Sequence, residues 1–397
     1  MNKLNSAPQK IEFLEGLRGL LALNVVINHF VVVFYPQMYF EEFAIKEGGF
    51  LSLFALTPLS VFVNGNIAVQ FFFILTGFLI GRMVFTKDIQ PSALREKIVK
   101  RYTRLLPIVA AATLFTAVTM FAGLQYHLNI LNDVKNGAFL ESYCNFNPSL
   151  TGSLFDAFVK TFFKSNAYVG PFWTIKYEFL GYIFVLLLCY ILKGSRWKRV
   201  GLVIGAALLG IIFDLNYSII VLGALVSDLY YNNSSDETVF SKYYHRIIDK
   251  EWFFALCFVV GLYFACCPMY YTSIYKVLSV IPIISTETIR GIGMALIVFV
   301  MLKVKPIRRF FELRFLKWLG KISFSVYAFH WPLVLTVQAY LFSRLLPLLG
   351  YDWSAIIAFL ITLPIIYAFS YLMWYLLESG KISKKIKNKF SKAAANF

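Results

Sequence analysis

The sequence predicts an all-α fold: a polytopic integral membrane bundle of about ten transmembrane helices with both termini in the cytoplasm. Of its 397 residues, 59% are hydrophobic and only 15% are charged, and the mean hydropathy is +0.68. A soluble protein of this length could not bury so much apolar surface in its core. The chain also contains repeated apolar runs of roughly twenty residues, which is the length at which a helix crosses a bilayer.

Taken in order, the apolar runs predict ten helices. They cover approximately residues 13–34, 67–85, 105–123, 172–192, 200–215, 217–231, 252–271, 287–303, 322–342 and 353–376. The first is predicted to be retained rather than cleaved as a signal peptide, because it is long, contains Arg18 and lacks a small-residue cleavage site. The ten helices form one predicted transmembrane domain, residues 1–380, followed by a basic cytoplasmic tail, residues 381–397.

The fifth and sixth predicted helices are the shortest of the ten. Residues 200–231 are few for two full crossings, since each residue adds only about 1.5 Å to a helix. A tight hairpin tip at Asp214-Leu-Asn216 would allow both helices to fit.

The distribution of Lys and Arg predicts the orientation. Cytoplasmic loops of membrane proteins carry an excess of these residues. Of the 38, 28 lie in one alternating set of segments and six in the other, and the remaining four are within helices. The richer set includes both termini, which places them in the cytoplasm and favours an even number of crossings. The formal net charge of +17 is therefore assigned to membrane topology and membrane lipids, with no nucleic acid as partner.

The first helix contains a stripe of ionisable residues, within the stretch "EGLRGLLALNVVINHF" at residues 15–30. Arg18 and His29 are eleven residues apart, about three turns, so they share one helix face. Glu15 lies near the same face. Such residues in a membrane helix face the protein interior or a watery cavity. The stripe is interpreted either as a functional site or as a boundary Glu–Arg pair plus a hydrogen-bonded interior His.

Three further segments place polar residues next to apolar helices. They are "RYTRLLP" at 101–107, "FWTIKYEF" at 172–179 and "LGKISFSVYAFHWP" at 319–332. With the first helix, they resemble the membrane acyltransferase-3 family of multi-helix acyltransferases. "LEGLRGLLALNVVINHF" looks like the Leu-Asp-Gly-Leu-Arg-Gly opening of that family followed by its intramembrane His.

The other three segments are also similar to family motifs, in the same order along the chain. "RYTRLLP" is similar to the Arg-Xaa-Xaa-Arg–Pro segment and "FWTIKYEF" to the Trp-Ser-Leu-Xaa-Xaa-Glu segment. "LGKISFSVYAFHWP" is similar to the late block that ends in Tyr-Xaa-Xaa-His. The resemblance runs from about residue 11 to Glu378. Glu15 in place of the usual Asp, and Lys176-Tyr177 before the Glu, depart from the family pattern.

The resemblance implies an acyltransferase of the bacterial inner membrane. It implies transfer of an acyl group, commonly acetyl from acetyl-CoA as cosubstrate, to a hydroxyl of a cell-surface or lipid-linked glycan. No metal is expected. Acyl-CoA and the saccharide acceptor are the expected partners. The glycan, the hydroxyl and the choice between acetyl and succinyl stay open.

The residues fit this chemistry. A sugar hydroxyl is a poor nucleophile until a base takes its proton, and a neutral imidazole can do so near pH 7. His29 is therefore the predicted catalytic residue, as a base or as a transient acyl acceptor. Glu178 is predicted to assist by orienting a Lys, a His or the acceptor hydroxyl.

A donor site is predicted at the cytoplasmic end of the bundle. Arg18, Arg101 and Arg104 would hold the anionic nucleotide of CoA there. The 18-to-29 spacing spans roughly 16 Å of helix, comparable to the reach of an extended pantetheine arm. Arg101 and Arg104 could instead be topology anchors. Arg82 could be another CoA contact or only a snorkelling charge.

The remaining candidates are predicted to bind the acceptor or to line the same cavity. They are Trp173, Lys176, Ser325, Tyr327 and His330. Trp173 could stack on a sugar ring or belong to an interfacial aromatic belt, and His330 could equally be a packed structural histidine. Arg290 and Asp228 could form a structural pair between helices.

A transporter or flippase of a glycan lipid is the alternative function. It too would have about ten helices and intramembrane charges. Transporters often show inverted repeats with interrupted helices at corresponding positions, and the sequence shows no such symmetry, which favours the enzyme.

Overall fold

The computed structural model describes residues 11–87, 89–231, 250–268, 272–280 and 285–380. Within these ranges the chain is all-helical and contains no strand. The predicted basic tail, residues 381–397, and the first ten residues lie outside the described part.

Among the described residues, ten longer helices form the bundle. They are α1 Phe13–Phe34, α2 Gly65–Phe85, α3 Pro91–Phe121, α4 Tyr182–Leu192, α5 Lys198–Ile212, α6 Leu215–Tyr231, α7 Glu251–Ala265, α8 Thr286–Lys303, α9 Arg314–Leu333 and α10 Ala339–Trp374. Each predicted segment overlaps one of these helices.

Short helical turns connect the longer helices. Pro36–Met38, Glu41–Glu47, Gly49–Leu56 and Pro58–Phe62 join α1 to α2. Tyr126–Ile130, Gly137–Glu141, Leu150–Phe155, Asp156–Lys160, Thr161–Phe163, Gly170–Thr174 and Tyr177–Gly181 lie between α3 and α4. The other short elements are Ser273–Val280, Lys305–Phe311, Val334–Gln338 and Tyr375–Ser379.

Several predicted helix boundaries are wrong; for example, α9 begins at Arg314 and not at residue 322. Helix α3 begins at Pro91, well before residue 105, because proline is favoured at the first position of a helix. The break between the last two predicted helices lies at Gly350, whose φ of 71° is left-handed, inside the predicted loop 343–352, although the other residues of that loop are helical. Glycine has no Cβ, so it adopts this conformation without the steric cost that other residues meet.

In the described ranges, five helical segments are long and apolar enough to cross a membrane. They are Phe13–Phe34, Gly65–Phe85, Pro91–Phe121, Gly170–Leu192 and Arg314–Ser379. Helices α6 and α7 are apolar but shorter. The chain is thus a helical membrane protein, while ten crossings and cytoplasmic termini stay predictions.

The backbones of α1 and α9 are in direct contact. A Cβ placed on Gly320 would lie 1.9 Å from the backbone oxygen of Glu15, and one on Gly19 would lie 2.6 Å from the Cβ of Leu319. Helices in membranes approach this closely where small residues line the interface. Helices α2 and α6 touch in the same way, since a Cβ on Gly77 would lie 1.7 Å from the backbone oxygen of Ile220.

Two asparagines fix α1 to the segment before α2. The side-chain amide of Asn24 donates to the backbone oxygen of Val61 at 2.7 Å, and that of Asn28 donates to Val63 at 2.8 Å. Their polar side chains therefore satisfy two carbonyl groups of the segment that precedes α2 and tie α1 to that segment.

The glycine contact predicts a mutational effect. Gly320→Ala should lower the apparent Tm of the purified protein, because overpacking a close interface costs about 1–3 kcal/mol. Gly152→Ala is the matched control, since a Cβ there meets its nearest neighbour, the Tyr168 hydroxyl, at an ordinary 3.4 Å. Equal Tm values for the two variants would contradict the direct contact between α1 and α9.

Candidate functional site

His29 and His330 form a hydrogen-bonded pair between α1 and α9. His29 Nδ1 lies 2.9 Å from the backbone oxygen of Val25 and 3.2 Å from His330 Nε2. His330 Nδ1 lies 2.7 Å from the backbone oxygen of Tyr327 and 3.1 Å from that of Val326. Each ring is therefore anchored to the preceding turn of its own helix.

These partners assign the protons of both rings. A carbonyl oxygen only accepts hydrogen bonds, so the Nδ1 atoms of His29 and His330 both carry hydrogen. His330 Nε2 then holds a lone pair and accepts from His29 Nδ1, which shares its hydrogen with Val25. The remaining nitrogen, His29 Nε2, carries the lone pair of a potential base.

The pair is enclosed on one side and open on the other. His330 is fully buried, and the ring of Trp331 lies 4.6 Å from that of His29 between centroids. His29 itself is half-buried and lines a cavity of about 210 Å³, here called the His29 cavity. Trp173 and Tyr327 line it as well. A small polar ligand in this cavity would meet the imidazole of His29.

A second cavity, the Arg18 cavity, lies at the end of the bundle where α1 begins. Its charged lining residues come from α1, α3 and α9 and from the turns beside α4 and α10; they are Arg18, Arg101, Arg104, Lys321, Glu178 and Glu378. Four basic and two acidic side chains leave a formal excess of positive charge. Such a site favours a polyanionic ligand.

Glu178 holds one of these arginines in place. Its carboxylate pairs with Arg101, whose Nε also donates to the Glu178 backbone oxygen at 3.1 Å. The Thr76 hydroxyl donates to the same carboxylate at 3.1 Å. The Arg101 guanidinium lies 5.1 Å from the centroid of the Tyr182 ring, a cation–π distance. Arg101 is therefore oriented before any ligand binds.

The two cavities adjoin at Val69 and Tyr327, which line both of them. The Tyr327 hydroxyl is 2.6 Å from the Thr174 hydroxyl and donates to the backbone oxygen of Pro171. Tyr327 is 8% exposed and Val69 is 7% exposed. These two side chains therefore form the wall between the cation-rich cavity and the histidine.

Several predicted site residues come together and others do not. The Arg18 cavity contains the three predicted arginines, Arg18, Arg101 and Arg104. The surroundings of His29 include Trp173, Tyr327 and His330. Glu15 interacts electrostatically with Arg18. Glu178 lines the Arg18 cavity instead of the His29 cavity.

Three further candidates lie away from both cavities. The Lys176 ammonium sits 4.5 Å from the centroid of the Tyr177 ring, and the Arg82 guanidinium sits 5.8 Å from that of Tyr231. Ser325 is fully buried, and its hydroxyl has no hydrogen-bond partner in the described part of the chain. None of the three lines the Arg18 or the His29 cavity.

Residue-by-residue interpretation of the sequence missed three contributors. Thr174 and Trp331 lie inside the segments "FWTIKYEF" and "LGKISFSVYAFHWP". Each is the direct neighbour of a predicted site residue, Trp173 or His330, and this position in the sequence could have identified it. Thr76 lies in an unremarkable apolar run of α2, so only the fold reveals its bond to Glu178.

Comparison with protein families identifies the family of the chain. The family model described as an acyltransferase domain, of the acyltransferase-3 type, matches residues 11–375, nearly the whole chain. The chain therefore belongs to the acyltransferase-3 family. Comparisons with curated proteins and with solved structures give no match.

The proton assignment can be tested by solid-state NMR. The sequence contains only four histidines, so selective ¹⁵N-histidine labelling in lipid bilayers gives few signals. We expect the signals lost in His29→Gln and His330→Gln to be those of the Nδ1–H tautomer with Nε2 unprotonated. A signal from His29 with hydrogen on Nε2 and none on Nδ1 would refute the assignment.

Proposed function

We propose that this acyltransferase moves an acetyl group from cytoplasmic acetyl-CoA to a hydroxyl of a cell-surface or lipid-linked glycan. In this proposal it acts in the bacterial inner membrane, with ten crossings and both termini in the cytoplasm. The observation that supports it most is the shared wall at Val69 and Tyr327. A cation-rich cavity adjoins a cavity that contains a histidine with a free lone pair, and one substrate can occupy each.

The Arg18 cavity suits the nucleotide end of CoA. Arg18, Arg101 and Arg104 can bind its phosphate groups through paired N–H donors, a geometry that lysine cannot reproduce. Arg101 is held ready by Glu178 and Thr76. The excess positive charge would also raise the local concentration of an anionic donor.

The pantetheine arm would connect the two cavities. Arg18 and His29 are separated by eleven residues of α1, or roughly 16 Å. An extended arm of this length would place the thioester at the imidazole after passing between Val69 and Tyr327. Tyr327 would have to give up its bonds to Thr174 and Pro171 to let it pass, so the wall would keep water from the thioester until the donor binds.

His29 acts at the reacting atoms. In the direct route, the acceptor hydroxyl gives its proton to His29 Nε2 while its oxygen attacks the thioester carbonyl carbon. The carbon–sulfur bond then breaks, and the CoA thiolate takes the proton from the imidazolium. A new ester and free CoA are the products.

A two-step route uses the same nitrogen. His29 Nε2 attacks the thioester and CoA thiolate leaves, which forms an acyl-imidazolium because Nδ1 keeps its hydrogen. The acceptor hydroxyl then attacks the acyl carbon, the bond from this carbon to Nε2 breaks, and the hydroxyl proton passes to the CoA thiolate as His29 becomes neutral again. Both routes require the Nε2 lone pair.

His330 is a positioning residue in either route. Its Nε2 accepts from His29 Nδ1, which fixes the ring and the tautomer of His29. The bond strengthens when His29 becomes positively charged, because a charged donor makes a stronger hydrogen bond. A neutral histidine therefore does part of what a carboxylate does in a catalytic triad.

The first functional prediction concerns His29→Gln, which keeps a similar size but cannot take a proton. Because a general base contributes about 10²–10⁴-fold to the rate, acetylation should fall by at least about 10²-fold. Mass spectrometry of surface glycans from cells with the wild type, the variant or no protein measures this. Calorimetry with CoA should show unchanged affinity.

His127→Gln is the matched control for this variant. His127 is buried, with Nε2 2.9 Å from the backbone oxygen of Tyr143, and lines neither cavity. Its variant should retain transfer. Near wild-type acetylation by His29→Gln would refute the proposal and would favour a flippase, which needs no proton acceptor at this position.

The second functional prediction concerns the donor. Alanine at Arg18, Arg101 or Arg104 should weaken CoA binding strongly, and lysine only partly, because lysine keeps the charge but loses the paired donors. Arg95→Ala is the control, since Arg95 is exposed on the same helix as Arg101. Unchanged CoA affinity in calorimetry for all three alanine variants would leave these residues with a topological role only.

A further inference from the structure

A third and larger cavity adjoins the His29 cavity on the side away from Arg18. Its volume is about 630 Å³, within the range of small-molecule binding sites. We name it the Arg290 cavity. It shares four lining residues with the His29 cavity, which are Tyr39, Phe40, Asn66 and Phe139. The three cavities therefore follow one another through the bundle, with His29 in the middle one.

Arg290 presents a fixed guanidinium to this cavity. Its Nε donates to the backbone oxygen of Cys267 at 2.5 Å, and its terminal nitrogens make no hydrogen bond in the described part of the chain. The suggested pair with Asp228 is wrong, because Asp228 binds Lys198 at 2.5 Å and Arg199 at 2.9 Å. Two donor groups of Arg290 are thus left for a ligand.

The cavity also offers hydrogen-bond acceptors. Glu41 is 9% exposed and accepts from the Thr272 hydroxyl at 3.4 Å, and Glu42 is an exposed lining residue. Asn66 donates its side-chain amide to the Tyr39 hydroxyl at 2.8 Å. Asn66 lines both the Arg290 cavity and the His29 cavity.

Donors, acceptors and aromatic rings together match the surface of a sugar. Hydroxyl groups both donate and accept, so they pair with carboxylates, amides and a guanidinium at once. The rings of Tyr39, Phe40 and Phe139 supply the apolar faces that a pyranose ring can cover. Two glutamates against one arginine give the lining a formal negative charge, which opposes an anionic ligand.

We infer that the Arg290 cavity is the acceptor site and that it binds a neutral sugar residue through its hydroxyl groups. The inference rests on the proposed function, because it assigns the acceptor of the same reaction. A sugar held there would extend one hydroxyl past Asn66 and Tyr39 into the His29 cavity. Donor and acceptor would thus approach His29 from opposite sides.

Saturation-transfer NMR on the full chain in nanodiscs tests this directly. The probes are methyl α-D-glucopyranoside, which is neutral, and methyl β-D-glucuronide, which is anionic. The wild type should transfer saturation to the neutral glycoside and much less to the glucuronide. Absent transfer to the neutral glycoside, or equal transfer to both, would overturn the inference.

Variants locate the site. Glu41→Gln, Glu42→Gln and Arg290→Lys should each weaken neutral-glycoside binding, by about tenfold or more, the size of a lost hydrogen bond to a charged group. Glu42 is exposed, so its variant tests the site without disturbing the fold. Glu141→Gln is the control, since Glu141 is an exposed carboxylate outside the cavity lining. Unchanged binding in all three cavity variants would overturn the inference.

His29→Gln separates this inference from the proposed function. Binding of the glycoside needs no proton transfer, so this variant should bind the neutral glycoside like the wild type. If Glu42→Gln and Arg290→Lys keep full binding of the neutral glycoside while His29→Gln loses acetyl transfer, only the assignment of the acceptor site is wrong. If His29→Gln retains transfer while the cavity variants lose glycoside binding, only the proposed chemistry is wrong.

Discussion

The direct contact between α1 and α9 is the constraint on which the site depends. Gly19 and Gly320 remove the side chains that would hold these helices apart. Two histidines that are 301 residues apart in the chain can therefore share a hydrogen bond. Because the Val25 carbonyl of the same helix accepts the hydrogen of His29 Nδ1, the lone pair of His29 is on Nε2, and the helix contact adds His330 Nε2 as a second acceptor for that hydrogen. A shift of one ångström between the helices would lengthen this bond beyond hydrogen-bond range.

Interactions between charged side chains determine how the arginines of the Arg18 cavity are arranged. Three arginines in one partly buried site repel each other, and Glu178 offsets part of this charge while it holds Arg101. Both side chains of that pair are largely buried, 10% and 17% exposed. Removal of one partner from a buried pair leaves an uncompensated charge and costs about 3–5 kcal/mol. Glu178 is therefore best understood as the residue that prepares a basic cavity for an anion.

The sequence predicts the helices well because apolar runs of membrane length are a local signal. The spacing of Arg18 and His29 is also local, since both lie on one helix. The partner of His29 could not be predicted, because the bond to His330 depends on how α1 and α9 pack. For the same reason Glu178 was expected near the reacting atoms, whereas its partners Arg101 and Thr76 place it in the neighbouring cavity. The break at Gly350 lies within the predicted loop 343–352, but the sequence does not show that the apolar residues before it continue the helix.

We propose above all that the acyl group of a donor bound in the Arg18 cavity reaches His29 Nε2. A cryo-EM structure with a non-hydrolysable acetyl-CoA analogue measures this most directly. We expect phosphates at Arg18, Arg101 and Arg104, a displaced Tyr327, and an acyl carbon about 3–3.5 Å from His29 Nε2, the distance of a reactive approach. An analogue whose acyl end stays in the Arg18 cavity behind an unmoved Tyr327, or one bound elsewhere, would contradict this proposal.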